Sequence, residues 1–134
     1  MMMYLYVALG SALGGVARYG ISLAVVRLLG SGFPWGTILI NVVGSFIISF
    51  FGTLTLTGGP LPADMGLRVF VMVGLCGGFT TFSSFSLQTL ELARDEAWGA
   101  AFANIALSLL LCLAAVAAGH LLAVRLGDLA QGEP

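Results

Sequence analysis

Four stretches of the chain are apolar with few interruptions, at residues Tyr4–Leu29, Gly36–Thr57, Leu67–Ala93 and Ala97–Leu126. About 20 apolar residues carry an α-helix across the hydrocarbon core of a bilayer, and each stretch reaches that length. The connections hold helix breakers: Gly30-Ser31-Gly32-Phe33-Pro34, then Gly58-Gly59-Pro60-Leu61-Pro62, then the charged Arg94-Asp95-Glu96. Tyr4, Tyr6, Trp35 and Trp98 fall near the ends of stretches, where aromatic rings anchor helices at the membrane interface. The pattern predicts an all-α integral membrane protein, one domain of four transmembrane helices over residues 1–134. A bundle this small is too narrow to conduct anything alone, so a homo-oligomer is expected.

The polar residues left inside the stretches recur with the period of a helix. Thr37, Asn41, Ser45 and Ser49 step by four along the second; Thr81, Ser84 and Gln88 share a face of the third; Asn104, Ser108 and Cys112 step by four along the fourth. Polar groups in lipid tend to face a partner or a wet cavity. A single hydroxyl is adequately explained as an adhesive contact between helices, worth about 0.6 kcal/mol. Three aligned stripes point instead to a shared polar seam. Gly10, Gly14, Gly15, Gly44 and Gly52 read as packing notches. In the third stretch Gly77-Gly78 weakens the helix by roughly 1 kcal/mol per glycine, and the hydroxyls after it compete for the backbone. A break in mid-membrane is predicted there, with freed carbonyls able to coordinate a cation. Phe82 and Phe85 lie three apart beside the hydroxyl stripe. In isolation such rings are packing residues, although a ring's positive edge also attracts anions.

Composition agrees with lipid as the solvent. Of 134 residues 59% are hydrophobic and 8% charged, against about 25% charged in a soluble domain. There is no lysine, and the 36 residues between Arg27 and Asp64 carry no charge. A net charge of −1 argues against nucleic-acid binding, which needs a basic stripe. Met1-Met2-Met3-Tyr4 lacks the positive start of a secretory signal, so the first stretch is expected to be retained. Cys76 and Cys112 both fall in apolar stretches and read as small core residues. Orientation normally follows the basic flanks. Here Arg68 and Arg125 on one side balance Arg27 and Arg94 on the other, which permits insertion in both directions. A single orientation fixed by something other than these arginines is the alternative. Arg18, the one charge well inside the first stretch, either snorkels to the interface or draws anions to a cavity mouth.

Three runs together are recognisable: Gly14-Gly15-Val16-Ala17-Arg18-Tyr19, Gly36-Thr37 through Asn41 to Gly44-Ser45-Phe46, and Gly77-Gly78-Phe79-Thr80-Thr81-Phe82-Ser83-Ser84-Phe85. In order and over nearly the whole chain they resemble the bacterial fluoride channel family called Fluc or CrcB. The resemblance implies a multi-pass inner-membrane protein that forms an antiparallel, dual-topology homodimer with two fluoride pathways near the subunit interface. It assigns Phe82, Phe85, Asn41, Thr81, Ser84 and Ser108 to the fluoride pathway and Arg18 to an aqueous vestibule. It also implies a structural sodium ion at the dimer centre, held by the backbone carbonyls of Gly77 and Thr80. The chain departs from the family's usual residues at Gln88, often acidic; at Asn104, often tyrosine; and at Cys112, often serine.

The implied activity is passive export of fluoride, which relieves its toxicity in the cytoplasm. Fluoride is small and strongly hydrated, so donors must replace the water it sheds. Two other readings compete. A small multidrug-resistance-type exporter needs an acidic residue in its first span, whereas this chain has none before Asp64. A non-transporting membrane assembly protein would use the polar seam only as glue. No enzyme is expected, since His120 is the sole histidine and no catalytic set accompanies it.

Overall fold

The computed structural model describes residues 1–56, 59 and 61–131, and among these the regular structure is entirely helical. The predicted end of the second span at Thr57, the turn residues Gly58 and Pro60, and Glu133 lie outside the described residues. Helix α1 spans Met2–Leu29, α2 Trp35–Leu54, α4 Phe82–Arg94 and α5 Trp98–Gln131. Between α2 and α4, α3 (residues 65–79) runs as a turn Met65–Arg68, a wider π-wound segment Val69–Cys76 and a final turn Gly77–Phe79. With α3 and α4 counted as one path, four helical paths among the described residues are long and apolar enough to cross a membrane.

The ends that differ from the sequence pattern do so for local reasons. The third path starts at Met65, two residues early, because the Asp64 carboxylate caps it, accepting from the Leu67 N–H at 3.1 Å. Helix α2 stops at Leu54. There the Arg68 guanidinium donates to Thr55 Oγ1 at 2.7 Å and to the Gly52 carbonyl at 3.5 Å, a cation placed at the negative end of a helix. Helix α5 continues past Leu126 to Gln131, carrying Arg125 and Asp128 on its last turns.

The molecule is built inside out relative to a soluble bundle. Large side chains such as Leu13, Val16, Phe102, Leu110 and Leu113 are exposed, while the buried positions are mostly small. Lipid gives apolar side chains no reason to hide, so close backbone approach takes over as the source of packing. On α5 the buried residues Ala115, Gly119, Ala123 and Gly127 step by four, and the helix packs against α2. A Cβ at Gly119 would meet the Phe46 carbonyl at 2.6 Å. Helix α1 meets α3 in the same way, with Gly10 and Gly14 against Gly74 and Gly78. A Cβ at Gly10 would lie 2.9 Å from Gly74 Cα, and one at Gly78 would lie 2.5 Å from the Ser11 carbonyl. Gly15 is not a notch among the described residues, because none of them comes within 4 Å of a Cβ there.

Candidate functional site: a cavity where two short helices meet

The backbone changes course at two threonines. Gly77 keeps helical angles (φ −64°, ψ −37°), whereas Thr80 (ψ 159°) and Thr81 (φ −154°, ψ 111°) are extended. The chain therefore leaves the helix at the hydroxyl residues and not at the glycine pair. Gly77 and Gly78 remain helical, and Gly78 gives up its Cβ to the backbone of α1 at Ser11. Thr80 closes α3, its N–H and its hydroxyl both donating to the Cys76 carbonyl at 2.9 Å. Thr81 opens α4 as its N-cap, Oγ1 accepting from the Ser84 N–H at 3.1 Å.

Helix α2 receives this turn with two residues on one face. Asn41 brackets Thr81: the Thr81 N–H donates to Asn41 Oδ1 at 2.8 Å, and Asn41 Nδ2 donates to the Thr81 carbonyl at 3.1 Å. The pairing fixes which end of the amide is oxygen, since the reverse would face two donors. Gly44, one turn on, has no Cβ because Thr80 Cγ2 occupies that space. These bonds have a consequence for the carbonyls upstream. In an unbroken helix Gly77 O would accept from the Thr81 N–H and Thr80 O from the Ser84 N–H. Those two amides donate to Asn41 Oδ1 and Thr81 Oγ1 instead, so both carbonyls are released from their helical donors.

A cavity of 560 Å³ opens beside the turn. Asn41, Ser45 and Ile48 line it from α2; Met72, Cys76, Gly77 and Thr80 from α3 and its end; Thr81, Phe82 and Phe85 from α4; Ile105, Ser108, Leu109 and Cys112 from α5. The Phe82 and Phe85 rings stand 5.4 Å apart, tilted by 45°. Phe85 is half-buried while Phe82 is 79% exposed. Of the nine residues the sequence nominated, seven line this one cavity. Ser84 reaches it through Thr81, whose hydroxyl donates to Ser84 Oγ at 3.0 Å. Arg18, half-buried on α1, does not line it.

The three stripes divide. Asn41, Ser45, Ser108 and Cys112 face the cavity. Ser49 is adhesive, donating to the Val116 carbonyl at 2.8 Å, and the Thr53 hydroxyl shares a 3.0 Å bond with His120 Nδ1. Asn104 is fully buried and latches α5 to α4, donating to Thr89 Oγ1 at 2.8 Å, with Ser108 donating to Asn104 Oδ1 at 3.4 Å. Gln88 and Thr37 turn to a second cavity of 340 Å³ under the α1–α2 connection, shared with Glu91 and Asp95. The sequence did not single out Thr89, Met72 or Ile48. Thr89 follows Phe85 by one turn, which was the available signal; Met72 and Ile48 are ordinary apolar residues until the helices are assembled.

Exposed apolar side chains, small-residue seams and a mainly apolar cavity with a few hydroxyl and amide groups define a multi-pass membrane protein. The model of the CrcB-like protein family, described as camphor resistance, matches residues 5–120, and the chain belongs to that family. It is also similar to curated bacterial proteins named fluoride-specific ion channel FluC. The one from Opitutus terrae is 57% identical over 129 residues, 96% of this chain and 98% of its own. The one from Gluconobacter oxydans is 59% identical, covering 89% and 83%, and the one from Methylocella silvestris 54% identical, covering 94% and 96%.

Proposed function

We propose that the chain forms a passive, fluoride-specific ion channel in the bacterial inner membrane, exporting fluoride trapped in the cytoplasm. Relatives that carry this name at more than half identity over nearly full length support the reading. The observation that carries it in this chain is the cavity, which gathers hydrogen-bond donors and ring edges from three helices around one helix interruption. An Asn NH2 carries two hydrogens. Asn41 spends one on Thr81 and keeps one for the cavity. Ser84 Oγ accepts from Thr81, which leaves its own hydrogen for another acceptor. Such donors replace part of the water that fluoride sheds. Phe82 and Phe85 present positive edges that attract an anion without holding it so tightly that it cannot leave. Arg18 faces a vestibule in this reading.

The functional unit is an antiparallel homodimer of oppositely inserted copies, with the third helix of each broken in mid-membrane. Support comes from the incompleteness of the single chain. Phe82, Ile105 and Leu109 line the cavity yet are exposed, and open space surrounds Gly77 on its outer side. A second copy over this face turns a cleft into a walled route. Gly77 and Thr80, whose carbonyls are released from their helical donors, also line this cavity. Two copies would supply four such oxygens, a hard-ligand set suited to a structural sodium ion. Sodium would supply fixed positive charge that ties the copies together.

Reconstituted liposomes loaded with fluoride and monitored by electrode test the reading. Wild type is expected to release fluoride and retain chloride, and Phe82→Ile or Phe85→Ile to abolish release while the protein stays dimeric. Release that is equal for chloride, or unchanged in both variants, overturns it.

A further inference from the structure

Three side-chain hydrogen bonds run in one direction, from the cavity into the contact between α4 and α5. The Thr89 hydroxyl donates to the Phe85 carbonyl at 2.7 Å, and a carbonyl only accepts. With its one hydrogen committed there, Thr89 meets Asn104 as an acceptor and takes a hydrogen from Asn104 Nδ2 at 2.8 Å. The other end of the amide, Oδ1, is thereby turned to Ser108, whose hydroxyl donates to it at 3.4 Å. Asn104 is fully buried, away from solvent that could hold its amide the other way round. Ser108 lines the cavity, but its single hydrogen is drawn back to Asn104. What it offers an ion in the cavity is an oxygen lone pair, which an anion avoids. The link at Ser108 is also the longest of the three, beyond the usual span of about 2.5–3.0 Å for such a bond.

We propose that Asn104, oriented by Thr89, is a positioning residue that withholds the Ser108 hydrogen from anions in the cavity and so sets how tightly fluoride is held there. The inference rests on the channel reading proposed above. Fluoride beside Ser108 has to take the hydrogen from Asn104 Oδ1, and gains only the difference between two acceptors. A hydrogen bond to an ion is about twice as strong as one between neutral groups. The exchange is therefore favourable, yet weaker than binding to a hydroxyl with nothing to give up. Loose holding suits conduction, because an ion bound too well does not leave.

The test measures initial fluoride efflux from reconstituted liposomes over a range of internal fluoride concentrations. Each variant yields a half-saturating concentration and a maximal rate, and gel filtration checks its assembly. Asn104→Leu removes the competing acceptor, and Thr89→Val removes the group that fixes the amide's orientation. Both are expected to lower the half-saturating concentration, Asn104→Leu by at least about twofold, the low end of what one hydrogen bond is worth. Thr89→Ser keeps the orienting hydroxyl and is expected to match wild type. In a Ser108→Ala background neither Asn104→Leu nor Thr89→Val shifts the concentration, because no hydrogen is left to withhold. A purely structural role would lower the maximal rate in both backgrounds and leave no such dependence on Ser108. A half-saturating concentration that is unchanged or raised in Asn104→Leu, or that shifts equally without Ser108, overturns the positioning role while the channel reading stands. Thr89→Val decides by the same criterion where Asn104→Leu does not assemble. Wild-type liposomes that release no fluoride overturn the channel reading, and the inference with it.

Discussion

Replacing Asn41 with alanine is the sharpest perturbation of the interior. Both backbone groups of Thr81 depend on that one side chain, through bonds of 2.8 and 3.1 Å. Counting them as ordinary interhelical bonds, at about 0.6 kcal/mol each in a membrane protein, gives a loss of ~1.2 kcal/mol. Treating them as buried groups left without partners, at about 1–3 kcal/mol each, gives up to ~6 kcal/mol. The truth is set by the neighbourhood. Asn41 is half-buried at the edge of a 560 Å³ cavity, so water entering the vacated space can serve one of the two groups. The expected cost is about 2 kcal/mol, a factor of roughly 30 in the folding equilibrium. Reversible unfolding in mixed micelles, with SDS as the denaturant, measures it. A variant whose unfolding free energy lies within about 0.3 kcal/mol of wild type refutes the argument, because that margin is the scatter of independent sites. The bracket around Thr81 would then be ornamental.

Two further perturbations separate positions that look alike in sequence. Gly10→Ala forces a methyl against Gly74 Cα and the Leu75 amide, and such overpacking costs about 1–3 kcal/mol in the same unfolding assay, whereas Gly15→Ala meets open space among the described residues and leaves subunit stability unchanged or raised. Thr81→Val keeps the shape but removes the cap on the Ser84 amide, with an expected loss of about 1 kcal/mol, and Thr81→Ser restores it; equal stability of the two variants would refute the capping role.

Much of the architecture is determined by the sequence alone. An almost chargeless chain with four apolar stretches has one good solvent, and in lipid the backbone must bond within its own helix, so four helical paths follow from length and composition. The gathering of Asn41, Thr81 and Ser108 was legible from polar residues at helical spacing on three of the stretches, whereas Phe82 and Phe85 were picked out only by the family resemblance. What tertiary structure decided is how those stripes divide. Ser45 and Ser49 are one turn apart, but only Ser45 reaches the cavity, since α5 crosses near enough for Val116 to capture Ser49. Asn104 shares a stripe with Ser108 and Cys112 but spends its amide on Thr89. Gly77-Gly78 marked the region of the turn, while its position at Thr80-Thr81 depends on Asn41 and Gly44, some 40 residues earlier, arriving from α2 to take the amide of Thr81 and make room for the methyl of Thr80. Periodicity reports which residues share one helix face. Which neighbour that face meets depends on the rotation and depth of helices against each other, and these are set by small-residue contacts such as Gly10 on Gly74 and Gly119 on Phe46 that a single helix does not contain.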